Sequence, residues 1–446
     1  MTEHDLRRAS RSVVAVRALA CVFSSAVCVG NALAQEDGVA VASEGGEGTA
    51  RADAPWYERD RLSGDWWGVR SSLYDGGVSI AGSYTAEFSS VLDGGVNQRG
   101  SFRNLLTVDA EVDLETAFGV PGGTLFVQYL SVNAESGGSL DSGDLQVYSN
   151  IENDRSLDTI FELWYEQLLW DDRIRLKLGK LDANGEFAYV DAAGDFANSS
   201  AGFSPTIFAF PSYPDPSTSV NLFGRVADGD GWCVTLGYGL YDGAAAVDGV
   251  RVGVRGPSTF FSDDLSDDYF HIWQGEVAWD ELRPGSRFLR DGRVSVGGWY
   301  HSGKFERFDG DTEDGAAGFF MTGEIRVFAP DDDGESERGV YAFGQYGWAD
   351  EDVTEVGQHF GLGAVWRGPT DARQNDSFGV YLSLAELSEA DGAGFEDDEF
   401  VVDGYYRWEL TPAVYLQPEI QYIVNPSGNP DIDDALVAGL RIGVVF

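Results

Sequence analysis

Two neighbouring stretches of the chain carry polar or charged side chains at every second position. These residues are Glu162, Trp164 and Glu166 in the first stretch and Arg173, Arg175 and Lys177 in the second. Successive side chains of a β-strand point to opposite faces, so each stretch has one polar face and one apolar face. Carboxylates beside guanidinium and ammonium groups create a transverse electric field and a set of fixed hydrogen-bond donors and acceptors.

The location of these two rows decides what they can do. The side chains between them, such as Leu163, Tyr165 and Leu176, are mostly apolar. Charged groups are costly on a lipid-facing surface, so in a membrane barrel the two rows would line the lumen. The alternative is that they form structural ion pairs, because cross-strand charge pairs are common on the polar face of any sheet.

The chain from residue 56 onward repeats this alternation in stretches separated by acidic, glycine-rich connectors, and no helix-length pattern competes with it. We predict sixteen strands, near residues 79–89, 105–115, 123–132, 160–169, 173–180, 220–227, 232–241, 269–279, 293–301, 318–328, 339–348, 358–367, 377–386, 400–409, 413–424 and 435–446. Strands of about ten residues have the length of a tilted membrane-crossing strand.

The predicted fold class is therefore all-β, a transmembrane antiparallel β-barrel of 16 strands. An even number of strands is typical of bacterial outer-membrane barrels, and tryptophan residues near strand ends are typical of their interfacial girdles. The tryptophan residues that fit this pattern are Trp66, Trp67, Trp170, Trp279, Trp366 and Trp408. A secreted β-rich protein with polar residues outward is the alternative.

The connections between the predicted strands alternate in length. Short links follow even-numbered strands, whereas three longer ones, 133–159, 181–219 and 242–268, follow odd-numbered strands. This asymmetry is typical of short periplasmic turns and long external loops. The connection 181–219, between strands 5 and 6, is rich in aromatic residues, and we expect it to fold into the barrel and narrow it, since a large apolar surface is rarely left exposed. Packing on the outer rim is the alternative.

The N-terminal part has a different composition. Residues 1–34 combine an arginine-rich start, a short apolar run and a small-residue site ending at Ala34, which predicts a cleaved secretory signal peptide. Residues 35–55 are rich in Gly, Ala and Glu and are expected to form a flexible periplasmic leader. The barrel domain is then 56–446.

Charge and motifs exclude several functions. The chain has 74 acidic and 30 basic residues, a net charge of −44, which excludes a nucleic-acid-binding surface. No His-Glu-x-x-His, Gly-x-Ser-x-Gly or Walker sequence occurs. We therefore predict no enzyme activity, no catalytic residues, no cofactor and no metal site. An outer-membrane enzyme using a serine–histidine pair remains an alternative that spacing alone does not test.

Several ordered motifs resemble the carbohydrate-selective outer-membrane porins of the OprB type. The segment Leu62-Ser63-Gly64-Asp65-Trp66-Trp67-Gly68-Val69-Arg70 is similar to the opening signature of that family. Further similar motifs are Pro121-Gly122-Gly123, Glu162-Leu163-Trp164-Tyr165-Glu166-Gln167, Gly179-Lys180-Leu181-Asp182, Phe196-Ala197-Asn198-Ser199, Leu416-Gln417-Pro418-Glu419 and Asp434-Ala435-Leu436-Val437. Trp67 departs from the family pattern, which has glycine after the first signature tryptophan.

The resemblance implies passive, carbohydrate-selective diffusion of sugars through a water-filled pore in the outer membrane of a Gram-negative bacterium. The implied partners are small-molecule sugars, outer-membrane lipid and two further copies in a homotrimer, with no nucleic acid. The candidate pore and sugar-binding residues are Glu162, Trp164, Glu166, Arg173, Arg175, Lys177, Asn198 and Arg225. The alternative functions are a general or differently selective outer-membrane channel and a secreted β-rich carbohydrate-binding protein.

Overall fold

The structure is a computed structural model of the chain. It describes residues 55–133, 138–249, 251–261, 268–283, 285–330 and 336–446. The predicted signal peptide, and the predicted leader apart from its last residue, lie outside the described residues.

Sixteen antiparallel strands form one closed barrel, in which every strand pairs with its neighbours in sequence and the last strand pairs with the first. This confirms the predicted fold class. The strands are β1 Val78–Gly95, β2 Gly100–Asp113, β3 Gly123–Asn133, β4 Leu157–Leu169, β5 Ile174–Leu181, β6 Ser217–Gly229, β7 Trp232–Asp242, β8 Tyr269–Trp279, β9 Gly292–Glu306, β10 Thr312–Phe328, β11 Gly339–Ala349, β12 Val356–Arg367, β13 Ser377–Leu387, β14 Glu399–Thr411, β15 Val414–Val424 and β16 Asp433–Val445.

Short helices occupy several connections and the segment before β1. The α-helices are Val69–Asp75, Leu114–Phe118, Ser139–Ser142, Ser199–Gly202, Ala244–Asp248, Val252–Arg255 and Pro257–Phe260, and the 3₁₀-helices are Trp56–Glu58, Trp66–Gly68, Asp191–Ala193 and Pro426–Gly428. No helix in the described part of the chain is long and apolar enough to cross a membrane.

The outer face of the barrel is apolar. Leu163, Leu362 and Ile420 keep 55%, 62% and 54% of their surface exposed, while the residues between such positions are buried on the lumen side. The closed sheet pairs its backbone groups between strands, as a bilayer requires, and the apolar outer face suits contact with lipid. Trp170, Trp279, Trp366 and Trp408 lie at or near strand ends as predicted. Trp66 and Trp67 do not, because they precede β1 in a separate segment.

The two ends of the barrel differ less in connection length than predicted. The connections after β3, β5 and β7 are long, but β1 joins β2 through 96–99 and β9 joins β10 through 307–311. Strands β1, β2, β9 and β10 are longer than predicted at the end where these connections lie. Strand pairing therefore extends into residues that the sequence pattern assigns to loops. The remaining connection is then short.

A hydrophobic core lies inside the barrel, where residues 182–216, here called the β5–β6 segment, contact the lumen side of the wall. Phe187 stacks on Phe223 with ring centroids 5.1 Å apart, and Phe208 meets Trp299 edge-on at 5.4 Å. Phe196 packs at 4.8 Å from Tyr405. These aromatic residues thus pack against the wall.

Polar contacts also connect the β5–β6 segment to the lumen side of distant strands. Its backbone N–H groups at Ala188, Ala192 and Ala197 donate to Gln274 of β8, Glu324 of β10 and Glu419 of β15 at 3.0, 2.8 and 2.8 Å. Gln345 of β11 and Tyr381 of β13 donate to the carbonyl of Ser200. These bonds satisfy buried backbone groups that no regular secondary structure pairs.

We predict that a charge on the outer face destabilises the barrel according to its depth. Ile420→Arg, in the middle of β15, should lower the free energy of unfolding in lipid vesicles by about 2–4 kcal/mol. Leu410→Arg, near the end of β14 where the side chain reaches headgroups, should cost about 0–1 kcal/mol. Denaturant titration in vesicles measures both, and equal costs would contradict a bilayer around this belt.

Candidate functional site

The two charged rows of the sequence meet on the lumen side of the hairpin β4–β5. Glu166 lies opposite Lys177 in the strand register, and Arg175 donates from Nη1 to Glu166 Oε2 at 3.2 Å. Leu163 points outward on the same strand and is exposed. The hairpin therefore places Glu166, Arg175 and Lys177 together on one wall.

A residue of the β5–β6 segment completes this cluster. Lys177 Nζ donates to Glu186 Oε1 at 2.6 Å, and Arg175 Nη2 donates to Glu186 Oε2 at 2.6 Å. The Glu186 side chain is 5% exposed. One carboxylate thus binds two cations of the wall, and charge-assisted bonds of this kind are the strong ones.

Electrostatics at Glu186 follow from these contacts. Burial alone would raise the pKa of its carboxyl group, but the Lys177 ammonium and the Arg175 guanidinium outweigh burial and lower the pKa from 4.5 to about 2. Glu186 is therefore ionised at neutral pH and holds the segment against the wall.

Glu162 and Trp164 have supporting positions beside the cluster. Glu162 Oε1 accepts a hydrogen bond from the backbone N–H of Asp182 at 2.9 Å, which fixes the start of the segment. Trp164 lies between a stacked Phe126 of β3, with centroids 4.8 Å apart, and Lys177 Nζ of β5, 3.6 Å from its ring centre. Both ring faces are occupied, so Trp164 orients Lys177 and offers no free face to a pyranose ring.

The other predicted residues lie elsewhere. Asn198 is buried, where it caps the helix Ser199–Gly202 and donates to Gln421 at 3.1 Å. Arg173 lies in the turn before β5, is half exposed and pairs with Asp228 at 3.0 Å. Arg225 is exposed toward the same end of the barrel. The structure does not bring these three residues to the cluster on β4 and β5.

Two further acids of the β5–β6 segment bind cations of other strands. Arg293 of β9 contacts Asp191 at 2.8 Å and covers the Tyr189 ring at 4.0 Å. Arg407 of β14 contacts Asp195 at 2.8 Å. With Glu186 these form three clamps at β5, β9 and β14.

The alternation of the sequence does not reveal the three clamp acids. They lie in a connection, which has no strand periodicity, and their partners are distant in the chain. The available signal is their spacing, at intervals of five and four residues in an otherwise apolar and small-residue segment. Asp195 shows the same balance as Glu186: burial alone would raise its pKa, but Arg407 and Arg367 lower it.

A row of acids lines the lumen on β2. Asp109, Glu111 and Asp113 alternate with the outward side chains of that strand and follow Arg103 on the same face. Their register partners on β1 and β3 are uncharged: Ala81, Ser79, Gln128, Phe126 and Thr124. The row therefore contributes negative charge to this part of the lumen wall.

One serine–histidine pair exists inside the barrel. His359 Nε2 lies 2.8 Å from Ser383 Oγ, and both residues are fully buried. Within the described residues His359 Nδ1 has no hydrogen-bond partner, so no acid orients the ring as in a hydrolytic triad. The described ranges also contain no group of three or more His, Cys, Asp or Glu side chains that could hold a metal ion.

Comparison with known proteins assigns the family. The model of the carbohydrate-selective porin, OprB family, matches residues 101–446. The chain belongs to this family. It is accordingly an outer-membrane porin of the carbohydrate-selective class. The end of the barrel with the shortest turns, where β1 begins and β16 ends, is the periplasmic one.

Individual relatives are distant. Porin B of Pseudomonas aeruginosa is 28% identical over 133 residues, which is 25% of this chain and 29% of that protein. A protein of Acinetobacter baylyi with the provisional name porin QuiX is 24% identical over 92% of this chain and 98% of its own length. The high-pH structure of Pseudomonas putida OprB has a TM-score of 0.73 at 19% identity, covering 87% of this chain and 99% of that chain. At that identity the likeness concerns the fold.

We predict that Glu186 stabilises the barrel interior in a pH-dependent way. Because its pKa is lowered from 4.5 to about 2, its contribution is fully present above pH 4.5 and is lost as the pH falls toward 2. Glu186→Gln leaves the buried Lys177 ammonium without this carboxylate and Arg175 with Glu166 as its carboxylate partner, and should lower the free energy of unfolding at pH 7 by about 3 kcal/mol.

Unfolding in vesicles at several pH values measures this contribution. The Glu186→Gln protein should lose less stability than the parent between pH 4.5 and 2. Glu337→Gln is the matched control. The Glu337 side chain is 87% exposed, and its ion pair with Arg367 is loose, at 4.0 Å. A control that costs as much as Glu186→Gln would contradict the clamp.

We predict that the β2 acids give the pore a preference for cations. Glu111→Gln combined with Asp113→Asn should reduce the permeability ratio of K⁺ to Cl⁻ by about twofold or more, because the negative potential along the wall weakens. Reversal potentials in a salt gradient measure the ratio. Asp391→Asn, an exposed residue of the β13–β14 connection, is the control and should leave it unchanged.

Proposed function

We propose that sugars diffuse through this porin past a constriction formed between the β4–β5 wall and the β5–β6 segment. The observation that supports the proposal is the cluster of Glu166, Arg175, Lys177 and Glu186, in which the segment is clamped to the wall by two bonds of 2.6 Å. A sugar passing here meets fixed donors and acceptors instead of mobile water.

The chemistry of the cluster suits a neutral, hydroxyl-rich solute. Each cation is already bound to a carboxylate, so the cluster has little net charge to attract an ion strongly. Arg175 retains 32% exposure of its side chain, and the Glu166 carboxylate beside it is 16% exposed. Sugar hydroxyls can donate to the carboxylate and accept from the guanidinium, and such contacts are weak enough to break as the solute moves on.

We assign different roles to the predicted residues. Arg175 and Glu166 contact the sugar, Lys177 and Trp164 hold the wall side of the constriction, and Glu162 fixes the start of the segment. Asn198 anchors the segment to β15. Arg173 and Arg225 belong to the periplasmic rim, where Arg173 is bound to Asp228.

A general, cation-preferring channel is the second candidate function. The row of Asp109, Glu111 and Asp113 favours it, because a negative wall speeds the passage of cations regardless of any sugar contact. The two candidates differ in one respect: only a pore with sugar contacts in its constriction lets a sugar interrupt the ion current. The homotrimer implied by the family resemblance stays a prediction, to be tested by native mass spectrometry in detergent.

Planar-bilayer conductance with sugar titration tests the proposed function. Glucose and short glucose oligomers should reduce the ion current in a saturable manner, and Arg175→Ala should weaken this block by about tenfold, the effect of losing one charge-assisted hydrogen bond. Arg173→Ala, which removes the same side chain two residues away at the rim, should leave the block unchanged. A steady current at every sugar concentration would leave only the general channel.

A further inference from the structure

The segment that precedes β1 carries an exposed aromatic surface. Within residues 56–75, Trp56, Tyr57, Trp67 and Tyr74 are 58%, 51%, 103% and 47% exposed, and Val69 is 52% exposed. Nothing in the pore uses these side chains. An exposed apolar surface of this density marks a contact with a membrane or a partner.

The backbone of this segment holds Trp67 outward. Trp66 and Trp67 have φ angles of 50° and 59°, and the flanking Gly64 and Gly68 also have positive φ. Bulky residues rarely adopt this left-handed conformation, which costs about 1 kcal/mol or more per residue. The ring of Trp66 is covered by Arg70 at 4.2 Å, whereas Trp67 is fully exposed. The strained turn thus exposes one indole of the pair.

The segment is continuous with the outer wall of the barrel. Strand β1 begins at Val78, but its pairing with β16 starts only at Ser83 and Val445, so the backbone of β1 extends past the end of β16. Residues of the segment occupy this place: Arg61 donates to the carbonyl of Ile80 at 3.0 Å, and Leu62 N–H donates to the carbonyl of Val445 at 2.8 Å. The segment therefore prolongs the lipid-contacting wall at its periplasmic rim.

We propose that residues 56–75 form an interfacial anchor that binds the headgroup region of the periplasmic leaflet, with Trp67 inserted among the phospholipids. Phospholipid is the proposed partner because the segment is continuous with the lipid-facing wall. Indole and phenol rings combine an apolar body with a polar edge and concentrate at this depth of a bilayer. The anchor is independent of sugar passage, since no residue of the segment belongs to the constriction.

Depth-dependent quenching of tryptophan fluorescence tests the anchor. The full chain and its Trp67→Phe variant are reconstituted in vesicles of phosphatidylethanolamine and phosphatidylglycerol, with bromine atoms placed either high or low on the acyl chains. The difference between the two proteins reports Trp67 alone. Trp366 lies near the end of β12 on the lipid-facing side and is 43% exposed. The Trp366→Phe variant therefore gives the quenching expected of a tryptophan in the interfacial girdle.

The Trp67 emission should be roughly halved by the lipids brominated near the glycerol and quenched much less by those brominated near the chain ends, as expected for an interfacial ring. Quenching by aqueous acrylamide with no effect of bromine would overturn the anchor. Protection from both quenchers that depends on protein density in the vesicle would identify a second copy as the occupant and also overturn it. Conductance and sugar block should be the same in both proteins, so this result does not depend on the proposed function.

Discussion

The structure depends on one constraint: in a bilayer every backbone N–H and carbonyl group must find its partner within the protein. A closed ring of antiparallel strands meets it, and closure leaves each strand with one face toward lipid and one toward the lumen. Each of the sixteen strands has this division into a lipid-facing and a lumen-facing side. The charged rows of β4 and β5 are then confined to the inside, where they are available to hold a connection and to contact a solute.

The strands and their order were predictable because each carries its own period-2 pattern, which is a local property of the sequence. The hairpin β4–β5 was predictable for the same reason: a short turn brings two alternating stretches side by side, so Glu166 and Lys177 had to face each other. The predicted fifth strand begins at Arg173, whereas β5 begins at Ile174, so Arg173 lies in the turn, where it pairs with Asp228. A boundary shift of that size is enough to change the role of a side chain.

The clamps were not predictable, since they join residues of a connection to strands far away in the chain. The interval between Asp195 and Arg407, for example, contains all of β6 to β13, which is half of the sixteen strands. Only closure of the ring brings β14 near a segment that begins after β5. The roles of Trp164 and the Trp66–Trp67 pair were missed for a related reason, because composition identifies an aromatic residue but not what covers its faces.

The three clamps have a mechanical consequence. A segment fastened to β5, β9 and β14 is a brace across a hollow cylinder, tied at widely separated points of its circumference. We expect a cylinder braced in this way to resist becoming oval under lateral pressure from the surrounding bilayer. The same three ties prevent the brace from swinging aside as a hinged flap would. We therefore expect the proposed constriction beside it to keep one width.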